Sequence, residues 1–382
     1  MPSLVPPNPG LLPAAREVAL AAARHAAEAD AVRALHPEVV EGIVDSGFAR
    51  HFVPARWGGA EGGLTDLLHA AAALGEGCTS AAWCASVLAG AARMGAYLPE
   101  AGQQELWAKG ADTRIAGALM PRGHAVEVPG GWRLTGDWEF TSGVGFSEWA
   151  MVCALLPVGE HGEPWFLAVP RQDYEVVDTW FNTGMRGTGS NTLVLDDVFV
   201  PRHRAFARSA VLTGRSVGSE ARCHTAPLRL LSGVLFGAPG LGAARGAFQA
   251  WSGWRAPRPG PDGRPSGDSP DNRLTAARAA GRIDAAQLLL ERAARVADAA
   301  AATPAETVRS PADCALAIDE LVVVIEDLFR TAGSRGQLEA HPLQRIWRDV
   351  HCLASHAALR FDTAGSAYGG HLLEAAGTRR PH

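Results

Sequence analysis

The feature that most restricts how this chain can fold is a change of hydrophobic period. From Arg114 to about Phe206 the apolar residues alternate as strands require, whereas both flanks are alanine-rich with helical spacing. The sharpest segment runs from Gly130 to Trp149. Trp132, Leu134, Trp138 and Phe140 occupy even positions with polar or small residues between them, so one face of a strand is expected to be buried. That strand stops at Thr141-Ser142-Gly143, where two hydroxyls and a glycine let donors approach a flat ligand closely. A second strand-rich block, Trp180 to Pro201, again sets a Gly/Thr/Ser/Asn cluster before an apolar run. Both blocks are expected in one β-domain.

The flanks set the rest of the plan: an N-terminal helical domain over 1–113, the β-domain over 114–212 and a C-terminal helical bundle over 213–382. Ala15 to Ala29 favours helix, His36-Pro37 starts the next, and Thr79 offers a capping hydroxyl to another in which Trp83 reads as core. Pro227 to Trp254 carries Gly233, Gly237, Gly240, Gly242 and Gly246, which suit close helix packing. Gly240-x-Gly242 follows no strand and meets arginine at position 245, so it is not a dinucleotide fingerprint. Ser252 to Asn272, rich in proline and glycine, reads as a mobile connection. Helices are expected at Leu274 to Ala302, Pro311 to Thr331 and His341 to about Gly365. The apolar run Leu321 to Ile325 suits either a subunit contact or intrachain burial.

With 382 residues, 47% hydrophobic and 20% charged, the chain can bury a large core in two or three coupled domains. A net charge of −5 offers no basic field for nucleic acid, and nearly all the basic residues are arginine. The six cysteines show neither C-x-x-C spacing nor a paired-histidine pattern, so free thiols and no metal site are expected. The N-terminal stretch lacks the pattern of a leader and no apolar run reaches membrane-spanning length, which points to the cytoplasm and away from membranes.

Taken together, Trp138-x-Phe140-x-Ser142-Gly143, Gly184-Met185-Arg186-Gly187-Thr188-Gly189-Ser190, Asp196-Asp197-Val198-Phe199-Val200-Pro201, Trp347-Arg348-Asp349 and His356 resemble the acyl-CoA dehydrogenase superfamily. Within it the chain is most similar to two-component flavin-dependent monooxygenases related to 4-hydroxyphenylacetate hydroxylase oxygenase components. The resemblance covers nearly the whole chain. It implies an α+β fold with an N-terminal helical domain, a middle β-barrel or sandwich domain and a C-terminal helical bundle, assembled as a homodimer or homotetramer. It also implies reduced FMN or FAD from a separate NAD(P)H flavin reductase, with O2 as co-substrate. The expected reaction hydroxylates an electron-rich aromatic secondary metabolite, phenolic or indolic, through a flavin C4a-hydroperoxide.

The same resemblance assigns roles. Leu119 and Met120 would border the flavin ring, although barrel core explains them equally well. Trp138, Phe140 and Phe146 would form apolar walls around the Thr141-Ser142-Gly143 step, with Ser142 hydrogen-bonded near flavin N5. Arg186, between glycines, would face flavin or substrate, or else be an ordinary surface charge. Ser334 would approach a flavin phosphate. His356 would lie over the reactive face as a proton donor, its unperturbed pKa near ~6.5 suiting it to that task. On one continuous helix His351 would point about 140° away from His356, leaving His356 as the site residue.

Two departures shape the substrate expectation. The family's histidine two turns after Trp83 is replaced by Ala91 and Ala92, and the acidic and histidine positions after Ser-Gly hold Gly145 and Phe146. A substrate needing no deprotonation, such as an indole, is favoured, on a more apolar floor. Amine N-oxygenation is one alternative. An acyl-CoA dehydrogenase is another, but it needs a carboxylate base. The usual position falls near Ala357 and the 227–248 segment holds no acid, leaving Glu374. A flavin-free binding protein is a third reading, against which Ser142, Arg348, Asp349 and His356 stand.

Overall fold

A computed structural model describes residues 10–259, 263 and 265–377. Residues 1–9, the start of the N-terminal stretch that lacks a leader pattern, lie outside them. Five helices come first: α1 (Leu11–Val32), α2 (Pro37–Asp45), α3 (Leu64–Gly77), α4 (Thr79–Gly95) and α5 (Glu100–Leu106). Seven strands follow: β1 (Ile115–Val128), β2 (Gly131–Trp138), β3 (Trp149–Leu156), β4 (Glu163–Pro170), β5 (Glu175–Val177), β6 (Thr192–Pro201) and β7 (Ala205–Ala207). The chain continues through α6 (Arg208–Thr213), α7 (Arg222–Thr225), α8 (Leu228–Arg255), α9 (Pro270–Asp298), α10 (Pro304–Ala332), α11 (Pro342–Ala354) and α12 (Phe361–Gly377). This is the expected α+β architecture. Among the described residues no helix is long and apolar enough to cross a membrane.

The strands form one sheet in the order β5-β6-β2-β1-β3-β4-β7, in which β1 and β3 are parallel and the other neighbours antiparallel. The period of two sorts its side chains. Ile115, Met151, Cys153, Phe166 and Ala168 face a core shared with Ala91, Met94, Tyr97 and Trp107 of the helices and the loop after α5. Ala116, Val152, Leu167 and Val169 turn the other way and bury Trp132, Leu134 and Trp138. Phe140 leaves the alternation: β2 ends at Trp138, and Phe140 has φ +61° and is 67% exposed.

Small residues let the long helices touch backbone to backbone. A Cβ on Gly242 of α8 would lie 2.2 Å from the Ala72 carbonyl oxygen, and one on Gly246 2.5 Å from that of Glu76. The packing role expected for the α8 glycines is therefore observed. Gly75 serves the same contact from inside α3, since its Cβ would lie 2.9 Å from the Pro239 carbonyl oxygen.

His36 caps α2, with Pro37 as its first residue, as expected. Thr79 is not a cap. Cys78 holds that position, and the buried Thr79 hydroxyl has no partner among the described residues. The α10 helix begins at Pro304, seven residues before the expected proline, because Thr303 and Glu306 form a reciprocal capping box. Of its apolar run, Leu321, Val324 and Ile325 are buried within the chain while Val323 is 41% exposed. The expected final helix is two helices, broken between Ala354 and Phe361.

Candidate active site

β1 and β2 are paired by an antiparallel backbone ladder running from Val128 opposite Gly131 to His124 opposite Thr135. That register, with the Arg122–Glu139 ion pair beyond it, carries Met120 toward the Phe140-Thr141-Ser142-Gly143 step that follows β2. Hydrogen bonds then stitch this step to the second motif. The Thr141 N–H donates to the Asn191 carbonyl at 3.1 Å, and the Gly143 N–H donates to that of Thr188 at 3.0 Å. Gly143 has φ +70°, a conformation that suits glycine. The Ser142 and Ser190 hydroxyls lie 2.7 Å apart, and Ser190 meets the Thr188 hydroxyl at 2.6 Å.

Trp83 extends this network toward the C-terminal helices. Its indole N–H donates to Ser142 Oγ at 3.0 Å. Its ring stands edge-on to His356 with centroids 5.5 Å apart and tilts against Phe236 at 5.2 Å, while Phe236 and His356 lie 4.0 Å apart. Trp83 is buried, as a core residue should be, yet it links the serine at the strand end to the histidine. Nothing local in the sequence signals that bridge.

His356 lies beyond α11 and caps the turn Ala357–Leu359, so its angular relation to His351 on a shared helix does not apply. Its Nδ1 accepts the Ala358 N–H at 3.2 Å, which leaves the ring hydrogen on Nε2. Burial pushes its pKa down to about 4. At neutral pH the ring is a neutral, oriented N–H donor, a correction to the expectation of a near-neutral titrating acid. His351 is exposed beside Trp347 and 3.6 Å from Glu326, outside this cluster.

The Arg-Asp pair of α11 holds the second motif in place. Asp349, 3% exposed, accepts the Met185 N–H at 2.6 Å, and burial pushes its pKa up to about 7. Arg348 bonds both Asp30 carboxylate oxygens, at 3.2 and 2.8 Å, and the Thr183 carbonyl at 2.6 Å. Gly184 must be small because its Cβ would lie 2.1 Å from the Arg348 carbonyl oxygen. Arg186 donates to the Asp30 carbonyl at 2.8 Å and the Asn182 carbonyl at 3.1 Å, tying α1 to the same loop.

Other expected site residues fall in different places. The Trp138 ring is 1% exposed and donates to the Cys153 carbonyl at 2.7 Å, so it has no face left for a ligand. Met120, 65% exposed, and Phe140 present open apolar surface beside the half-buried Ser142 hydroxyl. Leu119 and Phe146 are half-buried against the helical core. Phe146 touches the step itself, its ring lying 2.8 Å from where a Gly143 Cβ would be. Ser334 is exposed on the turn after α10 and makes no hydrogen bond to this cluster. Ala91 is buried facing β1, 3.4 Å from where a Cβ on Gly117 would be.

Open apolar surface around one well-held hydroxyl fits a planar ring with a polar edge, and the donor set fits a flavin. Among the described residues, no carboxylate hydrogen-bonds to Ser142, Trp83 or His356. Asp349 is engaged by Met185, and Glu374 lies on exposed α12. The six cysteines are free thiols. On the surface, His25, His36 and Glu38 bring one donor atom each within 4.8 Å, a grouping their spacing did not suggest.

The chain is similar to known proteins in sequence and in fold. The family model described as acyl-CoA dehydrogenase, C-terminal domain, matches residues 234–361. The chain is 31% identical over 92% of its length, and 90% of the relative's, to the FADH(2)-dependent resorcinol hydroxylase, oxygenase component, of Rhizobium sp. (strain MTP-10005). Its structure is similar to the crystal structure of 3-HSA hydroxylase from Rhodococcus sp. RHA1, with TM-score 0.90 and 27% identity, covering 95% of this chain and 97% of that one. It is also similar to XiaF from Streptomyces sp. in complex with FADH2 and glycerol, with TM-score 0.89 and 28% identity over 95% of each chain. The chain belongs to the flavin-dependent monooxygenase oxygenase components of the acyl-CoA dehydrogenase superfamily.

Proposed function

We propose that this oxygenase component hydroxylates an electron-rich phenolic or indolic secondary metabolite, by way of the flavin–oxygen adduct expected from the sequence. The observation that carries the proposal is the Ser142–Trp83–His356 connection, in which one indole bonds the serine hydroxyl and packs against the imidazole; an apolar opening for the ring would lie between the two. Leu119, Met120, Phe140, Thr141, Ser142 and Gly143 would hold the reduced flavin delivered by a separate reductase. Arg186 and Ser334 would meet more distant parts of it. When bound, reduced flavin supplies the electrons that place one atom of dioxygen in the product and the other in water.

The chain's own residues do the rest. Trp83 fixes the Ser142 hydroxyl, and His356 offers its Nε2 hydrogen to oxygen without first having to become charged. Phe236, Phe146 and Leu119 exclude water from the opening. No base stands at Ala91 or Ala92, which favours an indole, while the resorcinol hydroxylase relative favours the phenolic class. Exposed Leu288, Leu372 and Leu373 suit burial in a homodimer or homotetramer.

Product analysis with a flavin reductase, NADH and a panel of indoles, phenols and amines tests this. Ring-hydroxylated indole or phenol is expected. N-oxygenated amine as the main product would move the assignment to the alternative substrate class. Oxidation of an acyl thioester without oxygen insertion would overturn it.

A further inference from the structure

A cavity of about 600 Å³ opens where the loop after α5 faces the turn following Ser142-Gly143. Phe146 lines it together with Gly145, Ser147, Lys109, Arg114 and Arg171. Phe146 also touches the Gly143 position and the helical core, so this one ring belongs both to the cavity wall and to the Ser142-Gly143 step.

The charges at the mouth are unequal. Glu105 is held by Arg204 at 2.7 Å and His203 at 3.0 Å, and Glu148 lies 3.5 Å from Arg114. Arg171 donates to the Tyr174 carbonyl and stacks over that ring. Lys109 has no ion-pair partner among the described residues, is exposed, and is the one lysine in the sequence. Both acids are thus matched by cations and Arg171 is engaged by a carbonyl and a ring, while the Lys109 ammonium has no ion-pair partner among the described residues.

We propose that this cavity is the substrate vestibule and that Lys109 captures a carboxylate carried on the aromatic substrate's side chain, leaving the ring to pass Phe146. This rests on the oxygenase reading and adds a substrate class to it. An exposed ammonium on a flexible stem attracts a carboxylate without holding the ring rigidly, so its effect belongs in KM rather than kcat.

The test compares 4-hydroxyphenylacetate with its uncharged counterpart 4-methylphenol on flavin-loaded wild type, Lys109→Ala and Lys109→Glu, by calorimetry and by oxygen-coupled turnover. Wild type is expected to bind the acid about three- to tenfold more tightly than the neutral phenol. That ratio falls to about one in Lys109→Ala and reverses in Lys109→Glu, with kcat for 4-methylphenol unchanged. Equal affinities in wild type, no binding of the acid, or a ratio unaltered in both variants would overturn the inference. Calorimetry requires no turnover and flavin retention is read by absorbance on the same samples, so failure of the oxygenase reading registers separately.

Discussion

At the scale of single residues, the site depends on groups whose protonation is set by burial. His356 has its pKa pushed down to about 4. The stability tied to its neutral form is therefore present above about pH 6.5 and lost as pH falls through about 4. A proton NMR titration of the ring should show it neutral from pH 8 down to about pH 5 in the protein without flavin. A midpoint near ~6.5 would contradict the packed arrangement with Trp83 and Phe236. Asp349 runs the other way. Its pKa is raised to about 7, so the stability tied to its protonated form is present below about pH 4 and lost as pH rises through 7. Asp349→Asn keeps an acceptor for Met185 but cannot ionise. Its melting temperature relative to wild type should rise between about pH 5 and pH 8, and a constant difference would count against the shift. Trp83→Phe retains the aromatic packing and deletes the donor to Ser142. It should cost about 1 kcal/mol in urea unfolding and weaken reduced-flavin binding measured anaerobically.

At the scale of elements, contacts between backbones decide which glycines matter. Gly242→Ala would drive a methyl group against the Ala72 carbonyl of α3 and should cost about 2 kcal/mol or more. Gly281→Ala, in the middle of α9 with open space around it, should instead stabilise by about 0.5–1 kcal/mol. Thermal unfolding of the pair checks both signs. The α8 glycines could be read from the sequence because helical spacing without a strand before them leaves little but packing. The break after Ala354 could not, since Ser355-His356 carries neither proline nor glycine; the turn is made by the Ser355 hydroxyl donating to the Cys352 carbonyl and by His356 capping Ala358. Thr79 is no cap because α3 runs to Gly77 and Cys78, the single residue between the two helices, holds the cap position of both. Phe140 followed the alternation on paper, but β2 stops two residues earlier.

At the scale of the whole molecule, Ser142 and His356 lie more than two hundred residues apart in the chain, and the fold joins them through Trp83. Each was legible through its motif, whereas Trp83, which joins them, was not, because a buried tryptophan on an alanine-rich helix looks the same whatever it touches. The role of Arg348 and Asp349 in holding the Met185 loop was likewise hidden, since it exists only between α11 and the loop that joins β5 to β6. Central to the account is that His356, opposite Ser142, directs oxygen to the substrate. The most direct measurement is the ratio of hydroxylated product to dioxygen consumed in wild type and His356→Ala, with reduced-flavin binding measured alongside. The account predicts that the variant still binds flavin while the ratio falls about tenfold or more and hydrogen peroxide is released instead. An unchanged ratio at an unchanged rate would contradict it.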